Sequence, residues 1–78
     1  MTERKFMLIM DLIVTNLSNR IKNYFGISYN EAIERLYNSK LYEMLDDEEK
    51  KMWYYSTNDL FIMFLEETNT GSFTVSGV

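Results

Sequence analysis

The side chains able to do chemistry in this 78-residue chain are carboxylates, hydroxyls and amines, because it contains no histidine and no cysteine. Thiolate and imidazole nucleophiles, and the ordinary zinc ligands, are therefore missing. Two carboxylate pairs, Glu31/Glu34 and Glu66/Glu67, have the residue types used in acid–base glycoside hydrolysis. A hydrolase built on them needs a concave pocket in which they converge with raised pKa values. Each pair instead falls at a helix end or on a polar stripe, where a solvated surface is expected.

Asp46, Asp47, Glu48 and Glu49 form the densest acidic run. They lack the alternating oxygen ligands, central glycine and distal glutamate of a calcium loop, and carboxylates at a helix start explain them without an ion. There is no glycine-rich phosphate loop. No catalytic, cofactor-binding or metal-ligating residue is assigned, and the chain reads as non-enzymatic.

Recognition is the remaining chemistry. Trp53, Tyr54 and Tyr55 are consecutive, so one helix face cannot bury all three rings and at least one is expected at a boundary or interface. Residues Ile21 to Leu36 have the outline of a helix-turn-helix. Its second helix, however, would carry Glu31 and Glu34 into the major groove with only Arg35 to read bases, and Lys22 stands where a small residue is usual. A capped helical hairpin is the simpler reading.

The elements that position these groups are marked by caps, because the chain has no proline. Thr2 caps a first helix of roughly Glu3 to Phe25, which Gly26 ends as a left-handed residue. Ser28 and Glu31 stand in capping-box relation, with Ile27 and Ala32 as the hydrophobic staple, and start a second helix at Tyr29. Ala32, Ile33, Leu36 and Tyr37 form its buried stripe. Ser39 restarts a short segment over Lys40 to Leu45, and Asp46 with Glu49 form a further box-like pair.

Ser56 with Asp59 caps a last helix over Thr57 to Glu67, with Tyr55 and Leu60 as staple. Its centre, Leu60 to Leu65, is apolar throughout, which predicts enclosure on all sides. The composition then turns to Thr, Ser and Gly. Residues 1–68 are expected to form one helical domain and 69–78 a flexible polar tail, with strand addition by Ser72 to Val75 as the alternative.

The predicted fold is all-α, a small bundle of about four helical segments with a long first helix. A domain of this size has little core of its own, and without disulfides or zinc it needs dense helix packing or oligomerisation. In the first helix Phe6, Met10, Ile13, Leu17, Ile21 and Tyr24 trace a heptad-like seam, and Met7, Leu8, Ile9, Leu12 and Val14 make the N-terminal half apolar almost all round. That pattern predicts a homo-oligomer or a protein partner docked on this helix, with enclosure of the helix by the other three as the alternative. Phe6, Met10, Ile13 and Leu17, with Trp53 and Tyr54, are the candidate interface residues.

Charge points the same way. The net charge is −4, but residues 1–25 balance at +2 and the remainder at −6, which disfavours nucleic acid as a partner. The segment Phe6 to Val14 is too short to span a bilayer and is interrupted by Asp11, and the polar face of the first helix lacks the basic stripe of an interfacial anchor. No membrane role is assigned, and the lack of cysteine suits a cytoplasmic setting.

Gly26-Ile27-Ser28, Glu31-Ala32, Tyr37-Asn38-Ser39, Leu45-Asp46-Asp47, Trp53 with Ser56, and Leu60 to Glu66 together form a pattern. Over Ile21 to Glu66 the chain resembles a class of small, uncharacterised, all-helical bacterial proteins, some beside toxin-like or regulatory genes. It departs from them at Lys50-Lys51, where the pattern has Thr-Gly or proline before the aromatic. The resemblance implies a small helical fold and carries over no functional residue. The functional expectation is a non-enzymatic interaction module self-associating through the first helix; the alternative is a dimeric antitoxin-like or repressor-like regulator presenting the Gly26 hairpin to DNA.

Overall fold

The computed structural model describes residues 3–71 and is all-α. Helix α1 (Glu3–Phe25), α2 (Tyr29–Tyr37), α3 (Lys40–Leu45) and α4 (Thr57–Thr70) are joined by short turns, with two 3-10 turns, Glu48–Lys50 and Met52–Tyr54, between α3 and α4. The expected Thr2 cap lies outside the described residues, as does the Ser72 to Val75 segment.

The serine signals set the helix starts. Ser28, Ser39 and Ser56 each have extended backbone, and each Oγ accepts from the amide three residues on, Glu31, Tyr42 and Asp59, at 3.1 Å. Such caps satisfy amides that have no partner within the helix and are worth about 1 kcal/mol apiece. Gly26 at φ 67° and Gly71 at φ 81° end α1 and α4 in the left-handed conformation that glycine adopts without a Cβ clash.

Three local expectations are corrected. Glu31 turns its carboxylate to Arg35 at 3.4 Å, where the capping box had it facing back toward Ser28. Asp46 closes α3, and it is Asp47 Oδ1 that accepts from the Glu49 amide at 3.0 Å, so the acidic run caps a 3-10 turn and starts no α-helix. Helix α4 continues past Glu67 through Asn69 to Thr70, beyond the end expected for it at Glu67. Thr68 and Thr70 support that last turn by donating from their hydroxyls to the carbonyls of Phe64 and Glu66.

Helix α1 is the spine. At 1.5 Å per residue its 23 residues reach about 35 Å, matching the 35 Å long dimension of the molecule. It packs most extensively against α2 and next against α4, while α3 and the 3-10 turns close the end of the bundle. Met10, Val14, Leu17 and Ile21 from α1 meet Ala32, Leu36, Leu41, Leu45, Met52, Leu60, Phe61, Met63 and Phe64 in one core. Ser18 is buried among them, and its Oγ has no hydrogen-bond partner among the described residues. The apolar run in α4 is not enclosed throughout: Leu60, Phe61, Met63 and Phe64 are buried, but Ile62 faces solvent, because the bundle covers α4 from one side only.

Candidate interaction surfaces

The predicted seam of α1 lies mostly inside the molecule. Leu17 and Met10 are buried within the single chain, as part of its own core. Phe6 and Ile13 are half-buried and pack against the core. Side chains three and four apart share a helix face, and the face that carries Met10, Val14, Leu17 and Ile21 is the one α2 and α4 cover.

What α1 leaves outside is another set of residues. Met7, Leu8 and Leu12 are 61%, 59% and 65% exposed. Leu8 and Leu12 are one turn apart, and the same stripe continues through exposed Thr15 and Asn19. Periodicity had flagged these leucines only as part of an all-round apolar segment; which side meets solvent depends on where α2 and α4 pack.

The aromatic triplet splits as its consecutive spacing requires. Tyr55 packs on the core, Trp53 is half-buried with its ring 5.6 Å from Phe6, and Tyr54 is 76% exposed. The Trp53 and Tyr54 rings lie 5.5 Å apart at 41°. With Glu48, Glu49 and Lys51 they line a groove of 430 Å³. Lys51 joins the two 3-10 turns with φ 53° and ψ 35°, a left-handed conformation costly for a residue with a Cβ. Neither Glu48 nor Glu49 has a hydrogen-bonded or ion-paired cation among the described residues.

A second cleft of 420 Å³ lies between α2 and α4, lined by Glu31, Glu34, Arg35, Asn38, Ser39, Phe64, Glu67 and Thr68. Three of its charged side chains, Glu31, Arg35 and Glu67, are engaged internally. Arg35 donates to Glu31 and lies 5.4 Å from the centroid of the Phe25 ring, a cation–π arrangement. Glu67, expected to be solvated, accepts from the Lys40 amide at 2.8 Å and the Leu41 amide at 3.0 Å. With Ser39 on Tyr42, the first three amides of α3 are all satisfied. Lys40 Nζ reaches back 3.3 Å to the Gly71 carbonyl, at the negative end of the α4 dipole.

These placements bear on the other chemistry considered. The carboxylates of Glu31 and Glu67 hold structure, and among the described residues no three acidic side chains are grouped to hold a metal ion. Arg20, like Arg35, faces an aromatic ring: it donates to Asn58 Oδ1 at 3.1 Å and stands 4.9 Å from the Phe61 ring, tying α1 to α4. Among the described residues no helix is long and apolar enough to cross a membrane. No family model, curated protein or solved structure matches the chain.

Proposed function

We propose that this protein is a non-enzymatic protein–protein interaction module that self-associates through the outward face of α1, acting in the cytoplasm. The observation that carries this reading is the outward placement of Met7, Leu8 and Leu12 on a helix that runs the length of the molecule. Single exposed apolar residues are ordinary, but neighbouring ones on one rigid element mark contact surfaces. Three side chains fall well short of the roughly 800 Å² per partner of a standard interface, so the association is weak and concentration-dependent. The repressor-like alternative draws no support from Arg35, whose guanidinium is engaged by Glu31 and Phe25.

The test is the solution mass by light scattering at two concentrations about tenfold apart. The expected result is a mass that rises toward a dimer at the higher concentration. Leu8→Asp with Leu12→Asp should hold the mass at monomer with unchanged helicity, whereas Ile13→Asp, placed against the core, should unfold the chain. A monomer at both concentrations removes self-association.

A further inference from the structure

Arg35 shows how this fold accommodates a guanidinium: an aromatic face on one side, the Phe25 ring at 5.4 Å, and a carboxylate on the other, Glu31 at 3.4 Å. The groove beside the 3-10 turns offers the same two components from a different part of the chain. Trp53 and Tyr54 supply two adjoining rings, centroids 5.5 Å apart and tilted by 41°, and Glu48 and Glu49 supply two carboxylates with no cation of the chain paired to them among the described residues.

We propose that the groove lined by Glu48, Glu49, Trp53 and Tyr54 binds an arginine side chain presented by an extended segment of a partner protein. Three physical features select this occupant. The negative ring faces favour a cation, Trp most strongly, and a planar guanidinium can stack on a ring while its edge donates in a fork to a carboxylate. An ammonium ion is compact and strongly hydrated, and cannot do both. The run of chain that forms the groove is acidic, Asp46, Asp47, Glu48 and Glu49 standing against Lys50 and Lys51, so a basic segment is drawn in and an acidic one repelled. Lys51 also lines the groove and is paired with neither carboxylate, which leaves both glutamates to the incoming group.

The backbone there is suited to holding such a site. Asp47 ties down the Glu49 amide, Lys51 donates its amide to the Glu48 carbonyl, and Trp53 is fixed on Phe6. One wall is thus anchored to α1, and the exposed Tyr54 ring beside it extends the aromatic surface that a guanidinium would meet. The proposal rests on reading the protein as an interaction module but is independent of self-association through α1.

The experiment uses the full chain and follows its one tryptophan by fluorescence. The probes are a blocked tri-arginine peptide and its lysine and citrulline counterparts, at low and physiological ionic strength. Tri-arginine should give a saturable change in Trp53 emission, at about tenfold lower concentration than tri-lysine, with tri-citrulline inactive. The response should weaken as salt rises. Glu48→Gln with Glu49→Gln, and separately Tyr54→Ser, should each weaken binding about fivefold or more at unchanged helicity. Glu34→Gln, in the other cleft, should leave binding as it is. No saturable change, equal binding of citrulline, or equal loss on Glu34→Gln overturns the proposal. Solution mass separates the two readings: a dimer that ignores tri-arginine keeps self-association and drops this site, and a monomer that binds it does the reverse.

Discussion

The α2–α4 cleft and the groove at the 3-10 turns are nearly equal in volume and both combine glutamates, a basic residue and aromatic rings. They differ in how the charges are used. In the first, Glu31 faces Arg35, Arg35 covers Phe25, and Glu67 caps α3, so each of these groups is part of the fold. In the second, Glu48, Glu49 and Tyr54 hold no side-chain polar partner among the described residues, and Lys51 sits in a strained backbone conformation. Similar residues thus serve structure where regular helices bring them together and remain available for recognition where an irregular connection presents them.

The largest test of this contrast pairs two aromatic truncations. Phe64→Ala, at the floor of the first cleft, should cost about 3–5 kcal/mol, enough to unfold much of the protein, while Tyr54→Ala should change stability by no more than about 0.5 kcal/mol. Denaturant melts followed by circular dichroism measure both. Equal costs would erase the distinction between the regions.

The carboxylates come next. Glu67→Ala frees two amides of α3 and should cost about 2 kcal/mol, lowering Tm by roughly 10 °C, with Glu67→Gln milder because its amide oxygen still accepts. Glu48→Ala should stay within about 0.5 kcal/mol of the parent. A smaller effect of opposite sign is expected at the groove: Lys51→Gly should stabilise the fold by about 0.5–1 kcal/mol, since glycine takes φ 53° without strain. If thermal melting shows a loss instead, the Lys51 side chain contributes to the fold, and its freedom in the groove is wrong.

The smallest effect is in pH dependence, on the helix that links the two regions. Burial raises the Tyr42 hydroxyl above its ordinary pKa, and Asp46, Tyr37 and Asp11 add to the shift in that order. Below about pH 10 the phenol is protonated in both folded and unfolded chains and the shift has no effect. As pH climbs past that value the unfolded chain ionises first, so stability falls until the folded group ionises too. An alkaline titration of Tm should therefore slope downward above pH 10, and Tyr42→Phe should flatten it.

Local signals in the sequence were legible because their physics is local. Ser28, Ser39, Ser56 and Gly26 marked helix ends correctly, since a serine cap or a left-handed glycine acts on amides and carbonyls a few residues away. The seam of α1 was legible as an apolar stripe that either core or interface could cover, and the choice stayed open because burial of Leu17 and Met10 depends on where α2 and α4 come to lie. Glu67 gave no signal at all: its partners are the amides of Lys40 and Leu41, 27 and 26 residues earlier. The acidic run at Asp46 to Glu49 misled by one residue because Asp46 and Asp47 are equally good caps, and the closing of α3 decided between them.

Composition and spacing alone determined that the chain is all-α, where three of its helices begin, and that histidine and cysteine chemistry are missing, because these follow from residue types and from interactions within one turn. Tertiary packing alone decided that Leu8 and Leu12 face outward while Leu17 faces in, that Arg35 stacks on Phe25, and that Trp53 and Tyr54 share a groove with Glu48 and Glu49. Each of these depends on the angle at which one helix or turn meets another, and that angle is set by the sum of many weak contacts across the core, to which no short stretch of sequence has access.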